Sequence, residues 1–291
     1  MQVIVNGAIN GLVIAVLGLA FQLVYLPTKV FHVALGAIFA AAPFFALALL
    51  NIGWSVPMAL LGALVLATAL SLLCEWSTHA PISRHRGSFT AHFVSSLGIY
   101  IIIVQALTLN WGADLKVIRQ GIDPVTFVGD VVLTATQWWK VGGCIGILVA
   151  FYLWLRFTRM GLQFRGLADN PNELALRGYN IAWLRYVAFG VSGAMVGAAA
   201  LMVARDTGFF PHGGLQELML AIVAAIIGGR QSFVGPVIGG FILGIARMEI
   251  EWYISSRWID IATFVVLTLF LLLRPNGIIV RKARLEAEQA S

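Results

Sequence analysis

The stretch Val3–Leu26, VIVNGAINGLVIAVLGLAFQLVYL, decides the fold, because it runs for 24 residues without a single charge. A helix needs roughly 20 mostly apolar residues to cross a bilayer, so this stretch reads as a transmembrane helix. The first Lys or Arg is Lys29, and no basic segment precedes the run. The run is also longer than the apolar part of a cleaved signal, which predicts a retained helix.

Outward from that stretch the same pattern repeats. The chain has 291 residues, of which 60% are hydrophobic and 11% charged, with a mean hydropathy of +0.90. Soluble domains carry about a quarter charged residues, so the solvent of this chain is lipid. The formal net charge is +6, but the basic residues lie between apolar runs rather than on one soluble face. That distribution excludes a nucleic-acid partner. Further runs lie near Val30–Leu50, Trp54–Trp76, Ala91–Trp111, Trp138–Phe157, Leu184–Ala204, Leu215–Ile227, Phe233–Ile254 and Trp258–Leu273. The expected fold is an all-α polytopic bundle of about nine (eight to ten) transmembrane helices, forming one domain over 1–291. The run Leu215–Ile227 is the shortest, and a re-entrant element there would change the parity.

Lys and Arg set the orientation. With the N-terminus outside and nine crossings, about 13 basic residues fall inside and 6 outside, the bias of a cytoplasmic face. The tail carrying Arg281, Lys282 and Arg284 is then cytoplasmic, as is the polar loop 158–183. Loop 112–137 is outside, and a short hairpin is expected around Gly129-Asp130.

Several constellations bear on chemistry. A phosphate loop ends in Gly-Lys-Ser/Thr, and none of Lys29, Lys116, Lys140 and Lys282 follows a glycine. Any ATP is therefore hydrolysed by another chain, with its Mg ion there, and no cofactor or metal is expected on this one. Gly190-Val191-Ser192-Gly193 imitates an intramembrane protease nucleophile, yet no histidine base is placed to serve Ser192; close helix packing explains these small residues better. Cys74 and Cys144 read as small buried apolar residues. His32, His79, His85, His92 and His212 lack metal-ligand spacing. No catalytic residue is expected.

Polar residues inside apolar runs are informative because lipid cannot solvate them. Gln2, Asn6 and Asn10 recur every four residues and share one helix face. Lining a solute path and bonding helices together are both open readings for Asn6 and Asn10. Glu217, Gln105 and His32, at the inner start of a run, join Asn6 and Asn10 as candidates for the solute path, with interhelical glue the favoured reading of Gln105; Gln22 is a similar isolated polar group. In the inner loop, Asp169-Asn170-Pro171-Asn172-Glu173 carries a helix start. Asn170 suits the N-cap, Pro171 the first turn, Glu173 the capping-box return and Gly178 the stop. The resulting short helix, with Leu174, Leu176 and Arg177, either packs on its own bundle or docks a cytoplasmic partner.

The sequence resembles the permeases of branched-chain amino acid ABC importers and their relatives for urea and short amides. Four stretches carry the resemblance: Asn6-Gly7 with Gly11, Gly18-Leu19 and Val24-Tyr25; Phe31 to Ala37; Arg165 to Pro171 with Gly178 to Ile181; and Gly228-Gly229 with Phe233 to Gly240, closing at Leu273-Arg274-Pro275-Asn276-Gly277. In the second, His32 stands earlier than the family's histidine. The resemblance implies an inner-membrane importer subunit without ATPase activity. It also implies a second, related permease chain, two cytoplasmic ATPase subunits binding ATP and Mg, and a periplasmic solute-binding protein. It assigns Asp169, Asn170, Pro171, Glu173, Leu174, Arg177 and Gly178 to a coupling helix, with Leu174 and Leu176 expected to enter a groove on the ATPase and Asp169, Arg177 and Arg165 to form its polar rim. An ion-coupled secondary transporter or channel is the alternative; its midplane acidic site is not evident, since Glu75, Glu217, Glu249 and Glu251 stand near run ends.

Overall fold

The computed structural model describes residues 1–85, 87–118, 123–229, 231–274 and 277–279. The tail with Arg281, Lys282 and Arg284, and Arg86, Arg119 and Arg230, which all enter the charge argument, lie outside the described residues.

These described residues form twelve α-helices, in order: α1 Gln2–Thr28, α2 Ala34–Asn51, α3 Val56–Cys74, α4 Ala80–Arg84, α5 Phe89–Trp111, α6 Ala135–Phe157, α7 Arg159–Asp169, α8 Pro171–Leu176, α9 Ile181–Asp206, α10 Gly213–Gly228, α11 Gly235–Tyr253 and α12 Ile259–Leu273. Among the described residues, six helical stretches are long and apolar enough to cross a membrane: α1, α2, α3 through α4, α5, α6 and α9. The chain is a multi-pass membrane protein built of helices. Its one described sheet is the expected hairpin, with β1 Val125–Val128 antiparallel to β2 Val131–Thr134. Gly129 takes φ +61° at the two-residue turn, the geometry that tight hairpin turns require.

The hairpin and α7–α8 stand at opposite ends of the bundle, because α6 alone connects them. Helix α1 starts at the hairpin end: Gln2 Nε2 donates to Val132 O at 2.9 Å, and Val132 N–H donates to Gln2 Oε1 at 2.8 Å. Thr134 caps α6 with a full capping box involving Gln137.

Helix α1 is the axis of the bundle, buried along most of its length. Lipid supplies no hydrophobic drive between helices, so close contact rests on small residues. Gly7 and Gly11 of α1 face the α11 backbone at Ile245 and Gly240, which makes the two helices antiparallel, and Gly18 meets Ala221 O of α10 and the Pro236 ring of α11. Ser71 Oγ of α3 donates to Phe189 O at 2.6 Å, and Ser192 Oγ donates to Ala20 O at 2.8 Å. Ser192 is thus a buried packing residue.

Two expectations change, and a third element gains detail. The run Trp54–Trp76 does not end at an inner loop near Thr78; α3 continues through a π-helical turn, Glu75–His79, into α4. Pro81 lacks an N–H and its ring crowds the preceding turn, which the wider π turn accommodates, while Glu75 and His79 find buried polar partners. The loop 158–183 also contains an unforeseen helix, α7, capped by Thr158 Oγ1, which accepts from Gly161 N–H at 3.0 Å. The short run near Leu215–Ile227 becomes α10, whose end meets the chain beyond α12: Ile278 and Ile279 N–H donate to Ile227 and Gly228 O, each at 3.0 Å. A Cβ at Gly228 would collide with Gly235 and one at Gly229 with Ile279, and Gly229 takes φ +123°. Only glycine lets these backbones meet.

Candidate functional site

At the hairpin end a cavity of about 190 Å³ opens between α1, α6, α9, α10, α11 and α12. Asn10, Lys140, Thr207, Glu217, Arg247 and Glu251 supply its polar wall, and Val13, Ile14, Val203 and Leu220 its apolar one. Lys140 Nζ donates to Asp206 Oδ2 at 2.8 Å and to Asn10 Oδ1 at 3.0 Å, joining α6, α9 and α1. Lys140 is only 2% exposed, so the partners are what allow its charge to be buried. Arg247 Nη1 donates to Asp260 Oδ1 at 3.3 Å and to Thr263 Oγ1 at 2.9 Å. With both cations paired, Glu217 and Glu251 are left to face the cavity as acidic groups. The lining thus brings basic side chains and carboxyl groups together beside an apolar wall.

Asn10 and Glu217, expected on a solute path, thus share one wall. Asn6 lines the adjoining groove of about 540 Å³ with Gln2, Met248, Glu249 and Glu251, and it accepts from Gln2 Nε2 at 3.3 Å. Asn10 both bonds helices and lines the cavity, so its two readings are not exclusive. Gln105 is exposed on α5 and touches neither space. His32 lies far from both, buried at the α8 end.

Sequence reasoning leaves out Lys140, Asp206 and Arg247 as site residues; Lys140 and Arg247 enter it only among the basic residues of the outer face. Lys140 and Asp206 stand five and zero residues inside the ends of α6 and α9, and pairing across 66 positions carries no local signal.

At the opposite end, α7 and α8 form a compact knob. Met160, Phe164, Leu167 and Ala168 follow helical spacing, a face that periodicity could have found; Phe164 and Leu167 are fully buried. Asn170 caps α8, accepting from Glu173 N–H at 3.2 Å through Oδ1, and Pro171 opens the helix. Gly178 stops it with φ +85°. Two details differ from expectation. Glu173 does not return to the Asn170 N–H, which already donates to Gly166 O at 2.9 Å as the last bond of α7; Glu173 pairs instead with Arg177 at 2.5 Å. Leu174 does not face outward: at 8% exposure it is buried in the main apolar cluster, against α7, whereas Leu176 is 89% exposed. Asp169, Glu173 and Arg177 rim the exposed surface.

Known proteins resemble the chain over nearly its whole length. The family "branched-chain amino acid transport system / permease component" matches residues 3–273. The high-affinity branched-chain amino acid transport system permease protein LivH of Escherichia coli is 26% identical, covering 97% of this chain and 96% of LivH. BraD of Pseudomonas aeruginosa, a permease protein of the same kind of system, is 24% identical over 97% of this chain and 96% of its own. Among solved structures, a chain of PsaBC from Streptococcus pneumoniae in complex with Fab shares the fold, with a TM-score of 0.53 at 12% identity over 93% of this chain and 91% of that one.

Proposed function

The chain belongs to the family of permease components of branched-chain amino acid transport systems, and from that premise we propose that it is the membrane-spanning subunit of an ABC importer in a bacterial inner membrane. Its solute is a branched-chain amino acid, with urea or a short amide as the next candidates. ATP and Mg act on two cytoplasmic ATPase subunits, a second and related permease completes the path, and a periplasmic protein delivers the solute. The N-terminus and hairpin face outward. Nine crossings (α1, α2, α3–α4, α5, α6, α9, α10, α11 and α12) bring the C-terminus to the cytoplasm, in keeping with the contact between 278–279 and the end of α10.

The observation that carries the reading is the mixed-charge cavity. A zwitterion with a branched apolar side chain needs a cationic group, an acidic group and an apolar wall within a few ångströms of one another. Lys140 with Arg247, Glu217 with Glu251, and Val13 with Leu220 supply those three. Asn6 stands on the approach, and Asn10 at the wall. The α8 knob is the coupling element: Asp169, Asn170, Pro171, Glu173, Leu174, Arg177 and Gly178 build it, Leu174 anchors it, and Leu176 is its exposed tip.

Transport in cells expressing the complete importer tests this. Glu217→Gln with Asn10→Leu is expected to lower leucine uptake at least tenfold while the permease level and assembly stay normal. Unchanged uptake would remove the cavity from the path.

A further inference from the structure

Three histidines that lie 47 and 13 positions apart in sequence meet at the α8 end of the bundle. His79, on the π turn, sits between the other two. Its Nε2 is 3.3 Å from His32 Nδ1, in the link between α1 and α2, and its Nδ1 is 3.1 Å from His92 Nδ1, on α5. His32 and His79 are fully buried, and His92 is 7% exposed. Ser83 Oγ lies 3.4 Å from His92 Nε2 at one end, and Ser96 Oγ 3.4 Å from His32 Nδ1 at the other. Ser96 Oγ also accepts from Ala34 N–H at 2.9 Å. The charged groups facing the chain are Glu75, on the same π turn, and Arg185 of α9, which pairs with it at 2.7 Å. Phe189 of α9 covers His32 and His79 with ring centroids 4.9 and 5.4 Å away.

The arrangement is not a metal site. His79 turns its two nitrogens toward different neighbours, so the three rings form a line and do not converge on one point. A line of neutral imidazoles has one complete pattern of donors. His32 Nδ1–H donates to His79 Nε2, His79 Nδ1–H to His92 Nδ1, and His92 Nε2–H to Ser83 Oγ. A further proton on His92 makes both of its ring nitrogens donors, so His79 and His32 must each carry their proton on Nε2, which places an N–H at His32 Nε2. That atom is buried and has no partner. An unpaired buried donor is costly, and Arg185 opposes the added charge while Glu75 is already engaged.

We propose that the His32–His79–His92 line is an acid-opened latch, which clamps the inner ends of α1–α2, α3–α4 and α5 together while neutral and releases them on taking up a proton. The sign follows from linkage. Burial, with His79 second, holds His32 well below the ordinary histidine value of 6.5, so the clamped state stays neutral where an opened histidine would charge. The clamp is complete above about pH 6.5 and weakens as pH falls below it, by up to tenfold per pH unit for one proton. Arg185 and Phe189 lie on the first turns of α9, directly after the α8 knob. A latch there lets internal acidity loosen the bundle behind the point where force is applied; that regulatory meaning rests on the coupling role of α8.

Hydrogen exchange on the purified importer complex tests the latch. Between pH 7.5 and 5.5, corrected for intrinsic exchange, amide protection in segments 28–36 and 75–95 is expected to fall about tenfold. In His32→Gln with His79→Gln, whose amides both donate and accept without titrating, the fall should vanish; His32→Gln with His92→Gln provides a second such variant, and His85→Gln, at an exposed histidine, should behave as wild type. Equal protection at both pH values, or the same fall in both cluster variants, would overturn the proposal. ATPase stimulation measured in parallel reports on the coupling role independently, since the exchange response needs no nucleotide.

Discussion

Gly244 of α11 marks how little room the α1 interface leaves. A Cβ there would meet the backbone of Gly11 and stand 2.5 Å from Gly7 O. Gly244→Val is therefore expected to separate α1 from α11, cost about 3 kcal/mol or more and strip the permease from the membrane fraction, as an immunoblot would register. Lys140 makes a contrasting case. Lys140→Met leaves the half-buried Asp206 carboxylate without its cation, a loss of up to about 3 kcal/mol. The double variant Lys140→Met with Asp206→Leu should recover most of the lost protein, since no orphan charge remains. If the double variant is as depleted as the single one, the pair does not hold α6 to α9. At this scale the sequence was legible only in part. Asn10 and Glu217 stood out because each is polar within an apolar run. Lys140 and Arg247 did not, because a cation near a helix end looks the same whether it reaches water or a partner across the bundle. The three-histidine line was invisible for a related reason, since it depends on where α3, α5 and the α1–α2 link converge.

Helices α7 and α8 act as one unit. Leu174 fixes α8 to α7, and α7 packs through Trp154 and Phe164, whose ring centroids are 5.1 Å apart, against the end of α6. A push on the exposed tip at Leu176 thus reaches α6 and α9 without a flexible joint between. Glu173→Pro removes the Arg177 pair and the N–H that bonds Asn170. Gly178→Val forces a branched residue into the left-handed region. Either change should abolish uptake at normal permease levels, with ATP hydrolysis no longer stimulated by the loaded binding protein. Leu176→Asp should weaken ATPase attachment without disturbing the fold, whereas Leu174→Asp should unseat the knob itself. Normal transport by Glu173→Pro would move the contact to another inner segment. The cap at Asn170 and the stop at Gly178 were readable because capping is local chemistry. The missing capping-box return was not, because it was decided by α7, which holds the Asn170 N–H.

Across the whole molecule the two ends differ in kind: charges and an open cavity at the hairpin, a rigid knob and a neutral polar line at the other. Topology can be checked with a membrane-impermeant thiol reagent on intact cells, because both native cysteines, Cys74 and Cys144, are buried. Phe127→Cys on the hairpin should label and Leu176→Cys should not; the opposite result would invert the molecule. The apolar runs made most crossings legible, while the π turn at Glu75–His79 escaped because hydropathy is blind to backbone register. The central place of α1 has a temporal consequence. Its closest neighbours are α11, α9 and α10, all from the far end of the chain. About 200 residues separate the end of α1 from the start of α11, so at roughly 5–20 residues per second the first helix made waits on the order of 10–40 s for its glycines to find their partner. During that interval Asn6, Asn10 and the bare glycine face must be shielded by the insertion machinery or by a companion protein. Chains truncated before Gly213 should accordingly be cleared by membrane proteases far faster than the complete one, as a pulse-chase would reveal.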